Sequence, residues 1–83
     1  MNYTIKCHPK SYKYLERLSG EISKRIIDKL ENVKKEPFRY LEHFEGEGYK
    51  LRVGDYRLLI DVDFKRRILW VRVLDKRGRI YKR

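Results

Sequence analysis

The stretch YKLRVGDYRLLIDVD, Tyr49 to Asp63, constrains the fold of this chain more than any other. Two runs rich in aromatic and aliphatic residues flank Gly54-Asp55, a two-residue turn with glycine first, which is a hairpin signature. A two-residue turn sets the register, and register decides the faces, because successive strand side chains alternate. Tyr49, Leu51 and Val53 therefore share a face with Tyr56, Leu58, Ile60 and Val62. Lys50 and Arg52 share the other face with Arg57, Leu59 and Asp61. Closing the turn sets Val53 against Tyr56, Arg52 against Arg57 and Lys50 against Leu59. Like charges facing across a ladder are destabilising. A small domain that sets two arginines opposite each other, with a lysine beside them, needs a reason to do so.

The 83 residues are enough for one domain, 1–83. A chain this short buries only roughly 60–65% of the surface its unfolded form exposes, so modest stability is expected. The single cysteine, Cys7, excludes an intramolecular disulfide and fits a reducing, cytoplasmic compartment. No apolar run approaches the roughly 18–20 residues that span a bilayer. The N-terminal MNYTIKCHPK lacks the apolar core of a signal peptide. The expectation is a soluble cytoplasmic protein without a membrane partner.

The net charge of +10 is uneven. Residues 1–47 carry 10 Lys/Arg and 8 Asp/Glu, whereas residues 48–83 carry 12 Lys/Arg and 4 Asp/Glu. The excess sits in the part that reads as sheet, which points to a polyanion, with nucleic acid the default. The competing explanation is a solvated basic surface on a heat-adapted protein, since the chain has no Ala or Gln and is dense in Lys, Arg, Glu and Ile. Heat adaptation usually adds both signs of charge, so the one-sided excess favours nucleic acid.

Asn2–Cys7 alternates around Tyr3 and Ile5 and reads as a first strand. Pro9 suits the first turn of a helix over Lys10–Leu18. Ser19 is a good N-cap for a second helix, in which Ile22, Ile26, Leu30 and Val33 form an apolar stripe. Pro37 is expected to end that helix. Glu36–Gly48 reads as a surface connector. After the hairpin, Arg67–Asp75 forms a third strand, and Arg79–Arg83 a short last strand or tail. The order implies an α+β fold: one strand, a two-helix hairpin, then a three- to four-stranded antiparallel sheet with the helices packed on one face. The Leu51/Leu58 face should meet the helical stripe, leaving Lys50, Arg52 and Arg57 on an open face.

Convergent cations on an open sheet face suit phosphate. Arginine offers a planar fork for phosphate oxygens, and lysine a compact ammonium that can lose its proton. A phosphate between Arg52 and Arg57 would relieve their repulsion. The bland alternative pairs these cations with nearby acids, Asp61 and Asp63 being the candidates.

The hairpin, a following strand and the terminal KRGRIYKR together resemble the RelE/ParE superfamily of toxins from toxin–antitoxin pairs, with the closer likeness to RelE. The resemblance covers nearly the whole chain, because length and element order also agree. It implies a toxin of a type II pair: a metal-independent, ribosome-dependent endoribonuclease (an mRNA interferase) that cuts mRNA in the A site and needs no cofactor. It also implies a partner, an acidic RelB-like antitoxin that wraps the toxin. Carried over by residue, Lys50 matches the first lysine of the hairpin, Arg52 a second basic position, Arg57 the arginine of the Tyr-Arg-Leu element, Arg77 the later arginine and Tyr81 the terminal tyrosine. Lys76 takes the place of Arg77 if the match shifts by one. Lys76, Arg79 and Lys82 are further RNA phosphate contacts. Two departures stand out: Arg52 cannot accept a proton as a lysine might, and no C-terminal helix follows Arg83.

The implied reaction is attack of a ribose 2′-OH on the adjacent phosphate. It needs a base, charge on the phosphoryl oxygens and a proton for the leaving oxygen. His8 and His43 lie outside the site strands and read as surface or core histidines. Neighbouring positive charge favours the neutral form of Lys50, so Lys50 is expected to act as the base, alone or with Tyr81. Arg52 and Arg57 would hold the phosphate, and Arg77 would stabilise developing charge. Tyr81 is also able to stack on a base. Cys7 reads as a buried thiol, and Trp70 as a residue packed at a sheet edge or covered by an antitoxin. No metal-ligand cluster, phosphate-binding glycine loop or Ser/His/Asp set is present. Two other functions stay open: a ParE-like toxin that inhibits a topoisomerase and cuts nothing, and a non-catalytic RNA-binding module. Fold alone does not choose among them.

Overall fold

In the computed structural model, which describes residues 2–44, 46 and 48–76, the hairpin closes where its turn residues require. Gly54 has φ +58° while Asp55 keeps a negative φ, as in a type II′ turn. Strands β3 (Gly48–Val53) and β4 (Tyr56–Asp63) pair with Val53 opposite Tyr56, Arg52 opposite Arg57 and Lys50 opposite Leu59.

Ahead of the hairpin come β1 (Thr4–Cys7), α1 (Pro9–Arg17), α2 (Gly20–Val33), α3 (Pro37–Tyr40) and β2 (Glu42–His43), and after it β5 (Ile68–Lys76). The sheet order is β1-β5-β4-β3-β2, so the hairpin sits near one edge. The fold is α+β, as expected, but with five strands among the described residues rather than three or four. The additional strand is β2, inside the stretch read as a connector. Its two residues pair with Lys50 and Tyr49, too short a run to show alternation. β1 runs parallel to β5, since α1, α2 and the hairpin intervene before the chain returns.

α2 begins where its cap directs, with the Ile22 N–H donating to Ser19 Oγ at 3.3 Å. It ends at Val33, earlier than Pro37 suggested, and Pro37 instead opens α3 at its first turn. A proline excludes the residue before it from helical geometry. Glu36 accordingly has φ −143° and ψ 76°, breaking the chain between the two helices.

The α2 stripe packs on the expected sheet face. Ile26, Leu30 and Val33 are buried with Leu51, Leu58, Ile60, Leu69 and Val71. Each such side chain contributes roughly 1.5–3 kcal/mol when fully buried. Between the pairs Leu59–Val73 and Ile60–Val71, Arg72 is an extra residue on β5, which is a β-bulge. Its carbonyl accepts the buried Ser11 hydroxyl of α1 at 2.9 Å, and its Nε lies 3.0 Å from Asp61 Oδ2.

Candidate nucleic-acid interface

Arg52 and Arg57 face each other across the hairpin ladder, and Lys50 lies two residues before Arg52 on β3. Among the described residues β2 pairs only with Tyr49 and Lys50, and no strand lies beside the outer edge of β3 beyond Lys50. A cleft of about 90 Å³ opens at that edge. Lys50, Arg52 and Arg57 line it from the hairpin, Glu42 from β2, and Lys29 and Tyr40 from the helical side. Among the described residues, four cations thus meet one carboxylate around a small hollow, an arrangement suited to an anion.

Each cation is held differently. Lys50 is half-buried, with Nζ 3.6 Å from Glu42 Oε1 and 6.0 Å from the Phe44 ring centroid. Arg52 is exposed. Arg57 departs from expectation: it is buried, 7% exposed, rather than standing on an open face. Its Nη1 donates to the Gly54 and Tyr56 carbonyls, both at 3.3 Å. The second residue of β4 folds back over its own turn, which alternation alone does not reveal. Lys29 Nζ sits 4.8 Å from the Tyr40 ring centroid, within cation–π range.

The acids proposed as partners are engaged elsewhere. Asp61 pairs with Arg72, and Asp63 Oδ1 accepts the Arg66 N–H at 3.0 Å. Among the described residues, no carboxylate lies within ion-pair distance of Arg52 or Arg57. Glu42 was not foreseen, because its pairing with Lys50 follows from β2. Lys29 was likewise not singled out from the sequence. Its place beside the buried Leu30, on the border of the apolar stripe, was the available signal.

Lys76 ends β5 opposite Tyr56, while Asp75 is opposite Arg57. Lys76 is therefore out of phase with the Arg57 face. Arg77, Arg79, Tyr81 and Lys82 lie outside the described residues. His43 sits in β2 and stacks edge-on against Tyr49, and its Nε2 is 2.8 Å from the Gly46 carbonyl. His8 lies 5.4 Å from Trp70, ring to ring, and Lys6 Nζ is 5.6 Å from the same indole. Trp70 is thus half-buried beside β1, away from the cleft. Burial pushes the Cys7 thiol up from its ordinary value, as suits a packed, unreactive cysteine. Among the described residues no group of three His, Cys, Asp or Glu is placed to hold a metal ion, and no helix is long and apolar enough to cross a membrane.

The fold has known counterparts. The chain is similar to the crystal structure of the archaeal RelE–RelB complex from Pyrococcus horikoshii OT3, with 26% identity, a TM-score of 0.79, and coverage of 95% of this chain and 99% of that one. It also resembles the toxin–antitoxin complex RelBE2 from Mycobacterium tuberculosis (TM-score 0.83, 21% identity, 93% and 100% covered). A third likeness is to the isolated E. coli RelE toxin (TM-score 0.78, 20% identity, 93% and 86% covered). These last two show the fold alone. No curated protein matches the sequence. The family described as ParE toxin of type II toxin-antitoxin system, parDE, matches residues 5–81, a span that holds the hairpin, the α2 stripe and all five strands except Thr4. With that match over a RelE-like fold, the chain belongs to the ParE toxin family of type II toxin–antitoxin systems, within the RelE/ParE superfamily.

Proposed function

We propose that this toxin is a metal-independent endoribonuclease that cuts mRNA in the ribosomal A site and is neutralised by an acidic RelB-like antitoxin. The observation that carries this reading is the convergence of Lys50, Arg52 and Arg57 on one cleft, with Arg52 facing Arg57 across the ladder. A like-charged pair of this kind costs stability unless an anion binds between or beside it. In the reaction the ribose 2′-oxygen forms a bond to phosphorus and the bond from phosphorus to the 5′-oxygen breaks. The products are a 2′,3′-cyclic phosphate and a 5′-hydroxyl. Lys50 takes the 2′-OH proton, alone or with Tyr81. Arg52 and Arg57 neutralise the phosphoryl oxygens, and Arg77 supplies charge, and a proton, at the leaving oxygen. Arg79 and Lys82 hold flanking phosphates. Glu42 keeps the Lys50 side chain over the cleft until the phosphate arrives.

The ParE family match favours a second reading, in which the toxin binds a topoisomerase and cuts nothing. Induced expression followed by mapping of RNA ends separates the two. The nuclease reading expects new 5′-hydroxyl ends inside translated frames. In a ribosome-based single-turnover assay, Lys50→Arg keeps the charge but loses the titratable base, so cleavage should fall by about a hundredfold or more. Growth arrest with intact mRNA and changed DNA supercoiling would transfer the function to a topoisomerase. A near-normal rate for Lys50→Arg would leave lysine an electrostatic role only.

A further inference from the structure

The cationic cleft does not stop at the hairpin. A second hollow of about 380 Å³ adjoins it, lined from α2 by Arg25, Asp28, Lys29 and Asn32 and from the hairpin by Arg52 and Gly54. Lys29 and Arg52 line both hollows, so the two are neighbours. Arg25, Lys29 and Asn32 recur at spacings of four and three, which aligns them along one face of the helix beside its apolar stripe. Arg25 reaches the hairpin turn, since its Nη2 is 3.3 Å from where a Cβ on Gly54 would stand. Lys29 is steadied over the Tyr40 ring.

The acids nearby do not cancel this charge. Asp28 holds Lys24 at 2.9 Å, and Glu42 lies by Lys50. Among the described residues no carboxylate is within ion-pair distance of Arg25 or Lys29. Cations placed in series over two adjoining hollows suit successive phosphates of a strand better than one small anion. Among the described residues the outer edge of β3 is uncovered past Lys50, where no β2 residue stands between the hairpin cations and α2, and this allows the path.

We infer that Arg25 and Lys29 form a second phosphate subsite, so that a single RNA strand leaving the Lys50–Arg52–Arg57 cleft crosses the edge of β3 and continues along α2. This rests on the nucleic-acid reading of the cleft but not on cleavage. The two are separable with a probe that cannot react: a hexauridylate carrying 2′-O-methyl groups throughout, which has no 2′-OH nucleophile. Its affinity for the full chain would be measured across a range of salt for wild type, Arg25→Ala, Lys29→Ala and Lys13→Ala. Each phosphate contact on a single strand contributes about 0.7 to the slope of log affinity against log salt. Arg25→Ala and Lys29→Ala should each lower that slope by about 0.7. Lys13→Ala removes the same charge from an exposed position on α1 that lines neither hollow, and should leave the slope unchanged. With a 2′-O-methyl dinucleotide, too short to reach Arg25, the Arg25 effect should vanish while that of Lys29, which also lines the cleft, persists. Equal losses for Lys13→Ala and Lys29→Ala would reduce the effect to general charge and overturn the subsite, as would wild-type slopes for Arg25→Ala and Lys29→Ala. A chain that binds the probe in this pattern yet cuts no mRNA would refute the nuclease assignment and leave the strand path standing.

Discussion

Arg57 carries two opposed energetic terms. Facing Arg52 costs roughly 0.2–1 kcal/mol, the size of an unfavourable cross-strand pair. Its hydrogen bonds to the Gly54 and Tyr56 carbonyls act the other way, and breaking such bonds at a buried site costs about 1–3 kcal/mol. The second term is larger, so Arg57→Ala should lower stability as well as phosphate affinity. In a domain of this size each kcal/mol moves the melting temperature by about 4–8 °C. Arg52→Ala relieves the same repulsion at an exposed position without breaking those bonds. Thermal denaturation should therefore show a clear drop for Arg57→Ala and no drop, or a small rise, for Arg52→Ala. Equal melting temperatures would mean that the turn is not braced by Arg57, and any lost toxicity of Arg57→Ala would then be purely chemical.

The hairpin turn has a similar double role, because it sets the Arg52–Arg57 register and also receives Arg25 of α2. At Gly54 a side chain meets two obstacles, the positive φ of +58° and the Arg25 guanidinium 3.3 Å from the new Cβ. Holding a non-glycine residue in such a backbone conformation costs about 1–3 kcal/mol, while the flexible end of Arg25 has room to shift. Gly54→Ala should destabilise by that amount in urea unfolding, with the slope against urea unchanged, and should also displace Arg25 from the turn. An unaltered midpoint would show that the turn accepts another geometry. The helical stripe needs no such device. Ile22, Ile26, Leu30 and Val33 declare their face by spacing alone, and the latter three are buried where that spacing places them.

Over the whole chain, the +8 excess in residues 48–83 gives the molecule a directional field. Such a field chiefly speeds encounter with an oppositely charged partner, whereas dissociation depends on the contacts made at close range. An acidic, partly disordered antitoxin segment is the expected partner, since such segments order on binding and wrap large surfaces. Raising salt from low to moderate should then slow association steeply and alter dissociation only mildly. Stopped-flow measurement with separately prepared antitoxin reads both rates. Association indifferent to salt would detach the basic surface from antitoxin recognition and leave it to nucleic acid alone.

What was legible in the sequence is what short-range geometry controls. Alternation and a two-residue turn are decided within about fifteen residues, so the pairing of Arg52 with Arg57 and the core face of Leu51, Leu58 and Ile60 followed without tertiary information. The N-cap at Ser19 and the α2 stripe are local in the same sense. Contacts between distant segments decided the rest. β2 exists because Glu42 and His43 meet Lys50 and Tyr49, and two residues carry no periodicity to announce it. β1 lies parallel to β5 because packing brings residues more than sixty positions apart into one ladder. Arg57 is buried rather than solvated because its guanidinium turns back onto the turn carbonyls, a choice among rotamers that alternation does not make. Lys29 joins the cleft only because α2 packs beside the uncovered edge of β3. Strand phase says which way a side chain leaves the backbone; only the packed neighbours determine what it meets there.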